Sequence, residues 1–270
     1  MASAPIQLAD GREIMLTVSA GGSCYPEDTD SPEELVARAD QALYAAKETG
    51  RDRIVLYRNT LKARIEKDPG QIVALLSESL DNIKPLLTAL SSKADFYRGH
   101  TGAVEVAATH LAAALKISAT ETAALQLAAR LHDIGMVTIS DSVLNKTSVL
   151  SPEEQTVIRT HPAIAADWLE QVSALKHIAP IVRHHHERYD GGGYPDGLKG
   201  EAIPLLARVL AVADTYSAAV ADWPGRKARS TIAVNAELRA GSGTQFDPRI
   251  VEAALNTLDG AKTDTPSHAV

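Results

Sequence analysis

Leu125-Gln126-Leu127-Ala128-Ala129-Arg130-Leu131-His132-Asp133-Ile134-Gly135 is an apolar helical run that ends on an imidazole and a carboxylate. A helix of this kind buries one face against other helices. The flanking sequence repeats the theme. Ser118-Ala119-Thr120-Glu121 upstream and Ser151-Pro152-Glu153-Glu154 downstream are capping boxes, each a helix start. Residues 96–260 therefore read as almost all helix, interrupted by one Gly-rich loop from Asp190 to Gly200. The chain from about Ala261 reads as a frayed polar tail.

Outward from this zone lies a segment, residues 59–95, of mixed charge. Ile72, Leu75, Leu76, Leu80, Ile83, Leu86, Leu87 and Leu90 form an apolar stripe there, with a kink expected at Pro85. It reads as a linker helix, a homodimerisation helix or the first helix of the next domain. Residues 1–58 differ again. Glu13 to Ser19 reads as a strand running into a bend at Gly21-Gly22. Ser31-Pro32-Glu33-Glu34 starts a helix that stops at Gly50, and Ile54 to Tyr57 is a short strand. The expected fold class is mainly α: a helical bundle preceded by a small α/β remnant.

The 270 residues, 45% of them hydrophobic, are ample for a buried core. A net charge of −7 argues against a duplex nucleic acid partner, which a basic field would attract. A single cysteine, Cys24, leaves no internal disulfide and no zinc-thiolate motif. No apolar stretch is long enough to span a membrane; the closest, Leu205 to Ala221, contains Arg208 and Asp214. With no leader pattern at residues 1–16, the expected location is cytoplasmic.

Nine histidines are present, and their placement carries the chemistry. His100 opens one helix and His161-Pro162 follows another. His184-His185-His186 precede the Gly-rich loop, and Asp214 sits inside an otherwise apolar helix. An ionised Asp there is costly unless paired or bound to a cation. Imidazoles and carboxylates suit borderline divalent metals. Adjacent His132 and Asp133 would point roughly 100° apart on a helix, so the carboxylate could bridge to a second ion. Two ions about 3.5–4 Å apart can activate a water and clamp a phosphodiester. Each piece alone has an ordinary reading. A His-Asp pair can cap a helix end, three histidines can form a solvated face, and Asp214 can pair with Arg208.

The pieces follow one order: His132-Asp133-Ile134-Gly135; His161-Pro162; His185-His186-Glu187-Arg188-Tyr189-Asp190-Gly191-Gly192-Gly193-Tyr194-Pro195; Ala207 to Asp214; Gly243-Thr244-Gln245-Phe246-Asp247-Pro248. This order resembles the HD superfamily of metal phosphohydrolases, and within it the HD-GYP family. The resemblance implies an HD-type all-helical bundle and hydrolysis of cyclic di-GMP to pGpG or GMP with two divalent metal ions, such as iron or manganese. It places His100, His132, Asp133 and Asp214 around one ion. Asp133 would bridge to a second ion held by His161, His185 and His186, with His184 structural. His132 and Asp133 would be catalytic. Gly191, Gly193, Tyr194 and Pro195 match the family's loop and would meet the substrate.

Some positions depart from the family pattern. Met136 stands where a lysine is usual, Ser217 for a second Asp, Trp223 for an Arg and Gly225 for a Tyr. Arg226, Lys227 and Arg229 could supply phosphate contacts from shifted positions. Phe96 replaces a glutamate that accompanies trinuclear sites, and Ala103 an arginine. The rival expectation is a degenerate module that binds nucleotide or partner proteins without turnover. A third is an HD phosphohydrolase acting on another cyclic dinucleotide or nucleotide.

Residues 17–22, Ala39-Asp40-Gln41-Ala42-Leu43-Tyr44-Ala45-Ala46-Lys47 and Gly50-Arg51-Asp52-Arg53-Ile54 resemble the C-terminal third of a GGDEF domain. The loop that would hold substrate there is not in the sequence, so no cyclase activity is expected, and the chain reads as a fragment or a truncated gene product. GGDEF-domain proteins are candidate partners.

Overall fold

The computed structural model describes residues 6–7, 13–14, 17–29, 31–48, 50–60, 97–221 and 227–258. The apolar stripe of residues 72–90, Pro85, Phe96, Trp223, Gly225, Arg226 and the tail from Ala261 lie outside the described residues, as does most of the expected dimerisation segment. The chain divides into two compact units, Met1–Gln71 and Ile72–Val270.

In the first unit, β1 (Ile6–Gln7) pairs antiparallel with β2 (Glu13–Ile14). β3 (Ala20–Gly22) pairs parallel with β4 (Ile54–Leu56), and helix α1 (Pro32–Glu48) connects them. The strand expected over residues 13–19 is therefore split: Glu13–Ile14 belongs to one ladder, and the second begins at Ala20. Gly21 and Gly22 are paired strand residues rather than a bend. A Cβ on Gly21 would lie 2.1 Å from the Leu43 nitrogen and 2.2 Å from the Ala39 carbonyl oxygen. Glycine is needed there because α1 rests directly on β3. The Ser31 hydroxyl accepts from the Glu34 N–H at 3.4 Å, as a cap should, while the Glu34 carboxylate turns to Thr29 and Arg38. Ala42, Ala46 and Tyr57 are buried, whereas Val18, Val36 and Ile54 stay exposed.

The second unit is helical. Its described helices are α2 (Tyr97–Ala114), α3 (Ala119–Leu131), α4 (Asp141–Leu144), α5 (Pro152–Ile158), α6 (His161–Glu170), α7 (Ala179–Arg183), α8 (Leu205–Val220), α9 (Thr231–Gly241) and α10 (Pro248–Thr257). Both expected capping boxes are complete: Ser118 with Glu121 starts α3, and Ser151 with Glu154 starts α5. α2 packs on α3 and α8, and α6 on α7. Leu111, Leu125, Leu131, Ile134, Ile139 and Leu169 are fully buried between these elements. None of the described helices is long and apolar enough to cross a membrane.

Two polar ties set the position of α8. The Tyr216 hydroxyl donates to the Leu258 carbonyl at 2.9 Å. The Arg208 guanidinium pairs with Asp247, and both side chains are buried. Asp247 also caps α10, accepting the Arg249 N–H at 2.9 Å. Removing one member of a buried pair strands the other charge, at a cost of about 3–5 kcal/mol. Asp247→Ala should therefore lower the unfolding free energy, from urea denaturation followed by circular dichroism, by an amount of that order. Arg249→Ala, on the exposed side of the same carboxylate, should leave it close to the parent value.

Candidate metal centre

The α3 helix ends at Leu131. His132 is its C-cap, and Asp133 leaves the helix to begin a tight 3-10 turn, Ile134–Thr138. The two side chains thus separate at a helix end rather than along a continuous helix. The turn lies against the start of α6: a Cβ on Gly135 would sit 2.2 Å from the His161 carbonyl oxygen. His161 is the first residue of α6, followed by Pro162. His185 and His186 follow α7, whose C-cap is His184. His100 comes from α2 and Asp214 from the middle of α8.

Three of these imidazoles are oriented in the same way. Nδ1 of His132, His161 and His185 lies 2.8, 2.8 and 2.6 Å from the carbonyl oxygens of Ala129, Ile158 and Val182. A carbonyl oxygen can only accept, so each Nδ1 carries a hydrogen, and Nε2 turns inward with its lone pair open to a cation.

The inward atoms converge. His100 Nε2 is 3.1 Å from Asp214 Oδ1, and His132 Nε2 is 3.8 Å from the same oxygen. Asp133 directs its two oxygens to different histidines: Oδ2 lies 3.3 Å from His132 Nε2 and Oδ1 lies 3.2 Å from His161 Nε2. His161 and His185 bring their Nε2 atoms within 3.5 Å of each other. Potential ligand atoms form one group of His100, His132 and Asp214 and another of His161, His185 and His186. A third group, His132, Asp133 and His185, spans the two. All the expected ligands are brought together. Asp214 does not pair with Arg208, which is held by Asp247 on another side of α8.

The electrostatics follow from this packing. Burial opposes charge on Asp133, but His132 and His161 outweigh it and hold the carboxyl well below its usual range. Asp214 is likewise lowered, burial being outweighed by His100 and His132. Burial also opposes a proton on His132, yet Asp133 and Asp214 hold its pKa up to about 9. By contrast, burial and neighbouring imidazoles push His185 well down and His186 to about 4. The carboxylates are thus ionised and the His185–His186 side is neutral, with lone pairs available. His132 Nε2 is buried without a hydrogen bond although two carboxylates flank it. A mixed nitrogen and oxygen set of this kind fits borderline divalent cations.

The loop beside the centre is held from within. The buried Glu187 carboxylate accepts the N–H groups of Asp196 at 2.7 Å and Leu198 at 3.1 Å. A Cβ on Gly193 would lie 2.3 Å from the Arg188 nitrogen, and Gly191 has φ 89°. Both glycines are thus required by the loop's own backbone. Backbone N–H groups of Tyr189 and Asp190 donate to the carbonyls of Gln245 and Thr244, pinning the loop to the segment before α10. The Tyr194 ring lies 5.0 Å from that of His186, with Pro195 half-buried after it.

Of the basic residues considered for phosphate contacts, Lys227 and Arg229 are among the described residues. Arg229 is paired with Glu237. Lys227 is exposed ahead of α9, and Ser217 is buried on α8. His184 stands apart from the metal-facing set, 3.5 Å from Asp196 and 3.8 Å from Glu187. The sequence reading assigned no role to Gly135, Glu187 or Arg159. Gly135 and Glu187 are visible only as members of the motif, and Arg159 only as a basic residue two places before His161.

A family model described as "HD domain" matches residues 75–250, and one described as "Diguanylate cyclase, GGDEF domain" matches residues 1–53. The chain belongs to the HD domain family, and the string from His185 to Pro195 is of the HD-GYP type. It is 36% identical over 235 residues to the "Cyclic di-GMP phosphodiesterase response regulator RpfG" of Xanthomonas campestris pv. campestris (strain 8004), covering 83% of this chain and 58% of that protein. It is 33% identical over 180 residues to "3'3'-cGAMP-specific phosphodiesterase 3" of Vibrio cholerae serotype O1, covering 66% of this chain and 39% of that protein. Among solved structures it resembles a "HDG"Y"P" protein, Bd1817 of Bdellovibrio bacteriovorus, with a TM-score of 0.50 at 19% identity. That match covers 87% of this chain and 76% of that one, and it shows the shared fold. The chain spans little more than half the length of the first relative.

Because Gly135 has no room for a side chain, Gly135→Ala should push Asp133 away from His161. The expected result is weaker metal uptake, read by isothermal titration with Mn²⁺, while far-UV circular dichroism stays unchanged. Unaltered metal affinity would mean that the turn yields without moving the ligands.

Proposed function

We propose that this chain is a metal-dependent phosphodiesterase that hydrolyses cyclic di-GMP to pGpG or GMP. The observation that carries the reading is the geometry of Asp133, whose two oxygens face two separate histidine groups. Two divalent ions in such a centre would lower the pKa of a water and clamp the phosphodiester for in-line displacement. His100, His132 and Asp214 would hold one ion and His161, His185 and His186 the other, with Asp133 shared. The chain's own part is to supply two carboxylate charges against the cations and to fix each imidazole through its Nδ1 hydrogen bond. It also walls one side of the site with Tyr194. GGDEF-domain proteins and a second copy of the chain, through residues 59–95, are the partners this reading carries with it.

A second cyclic dinucleotide is kept as an alternative because of the similarity to the 3'3'-cGAMP-specific relative. The test is cleavage of cyclic di-GMP and of 3'3'-cGAMP, in parallel, by protein loaded with Mn²⁺ or Fe²⁺ under reducing conditions. Faster cleavage of cyclic di-GMP supports the proposal. Cleavage of 3'3'-cGAMP alone would replace the substrate, and no cleavage of either would favour a binding module.

Two variants sharpen this. Elemental analysis should find about two metal ions per chain, and Asp133→Ala should lose both because it removes the shared ligand. Met136, half-buried on the turn after Asp133, brings no charge toward the site. Met136→Lys should raise turnover at equal metal occupancy. A well-placed donor is worth about 2.7–4 kcal/mol in the transition state, a gain of about a hundredfold or more in rate. A variant no faster than the parent would show that position 136 does not limit the reaction.

A further inference from the structure

A phosphodiester brings negative charge to a centre whose own carboxylates are already turned to the histidines. Two arginines just before the neighbouring loop are occupied. Arg183 is closed on Asp196 through two hydrogen bonds, at 2.8 and 2.9 Å. Arg188 is closed on Asp190 in the same way, at 3.1 and 2.7 Å. Met136 offers no cation. Arg159 is different. It is the C-cap of α5, two residues before His161, and it is exposed. No described carboxylate forms an ion pair with it. Its guanidinium carbon instead lies over the Tyr194 ring, 5.4 Å from the centroid.

Tyr194 links that guanidinium to the metal-facing histidines. Its ring is 5.0 Å from the His186 ring and inclined to it by 31°. The phenol is largely buried, and its pKa is raised. Burial does most of this, Asp133 and Asp214 add to it, and Arg159 opposes it. The Tyr194 side chain therefore feels the centre's carboxylates and the Arg159 cation together. An arginine stacked on an aromatic face keeps its N–H edge free for bidentate contact with phosphate oxygens.

We propose that Arg159, seated on Tyr194, is a substrate-anchoring residue that binds a non-bridging phosphate oxygen of the nucleotide at the mouth of the metal centre. This deepens the phosphodiesterase reading and rests on it for the identity of the nucleotide. The test uses inorganic phosphate as the probe, so it reports the cation whichever phosphodiester the centre serves. Phosphate binding to the Mn²⁺-loaded full chain is measured by isothermal titration for wild type, Arg159→Gln, Arg159→Met and Arg159→Lys, with metal content checked in each.

At unchanged metal content, Arg159→Gln and Arg159→Met should each bind phosphate about tenfold more weakly, the loss of one charge-assisted hydrogen bond. Arg159→Lys should recover much of the affinity, because it keeps the charge. In cyclic di-GMP cleavage the Gln variant should show its loss mainly in KM. Wild-type affinity in Arg159→Gln would overturn the proposal. So would wild-type affinity in Arg159→Met with loss in Arg159→Lys, because the arginine stem would then only prop Tyr194. Failure of the cyclic di-GMP reading would appear separately, as wild-type protein that binds phosphate but does not cleave that nucleotide.

Discussion

Two ionised carboxylates, Asp133 and Asp214, are held inside a helical bundle, and among the described residues it is imidazoles that face them. Taking such charges out of water costs several kcal/mol each unless a cation meets them. The protein meets that requirement in part by raising the pKa of His132, and divalent cations bound among these residues would add to that balance. The demand for positive charge explains why helices from distant parts of the chain converge here. α2 brings His100, the end of α3 brings His132 and Asp133, α6 brings His161, α7 leads to His185 and His186, and α8 brings Asp214.

The supports of the centre are mostly backbone features. Three carbonyl groups, each three residues before its histidine, select the same tautomer of the ring. Gly135 lets the turn after Asp133 touch the first residue of α6, so the two halves of the centre are joined by direct backbone contact. The Arg208–Asp247 pair and the Tyr216 hydroxyl hold α8 in register with α10, which keeps Asp214 opposite His100. The loop that carries Tyr194 is shaped by Glu187 and by glycines with no room for a Cβ. It is then tied to the residues preceding α10, so the same segment steadies both α8 and the loop.

The first unit obeys the same packing logic on a smaller scale. Gly21 allows α1 to lie on β3, and the parallel pair β3–β4 places its strands side by side under that helix. Val18, Val36 and Ile54 stay exposed, as expected where a short β-α-β stretch has a small interior to fill.

Much of this was legible in the sequence. The capping boxes at Ser118 and Ser151 marked helix starts because a hydroxyl and a carboxylate three residues apart satisfy the free backbone N–H groups wherever they occur. The order of histidines and aspartates, through its family resemblance, marked the candidate ligands that the fold brings together. Local chemistry of this kind depends on near neighbours alone. Other features depend on what lies across the fold. Nothing near Asp214 in the chain distinguishes a partner at Arg208 from one at His100; the rotation of α8 against α2 and α10 decided it. Gly21 read as a bend and proved to be a strand residue, because the helix above it is distant in sequence. Arg159 drew no notice, since its cation acquires meaning only from Tyr194, which a folded loop brings over from the far side of α7. The sequence by itself determined which residues can bind metal and where helices begin. The tertiary structure decided which carboxylate faces which histidine and which arginine lies over Tyr194, because those depend on distances between segments that no local pattern encodes.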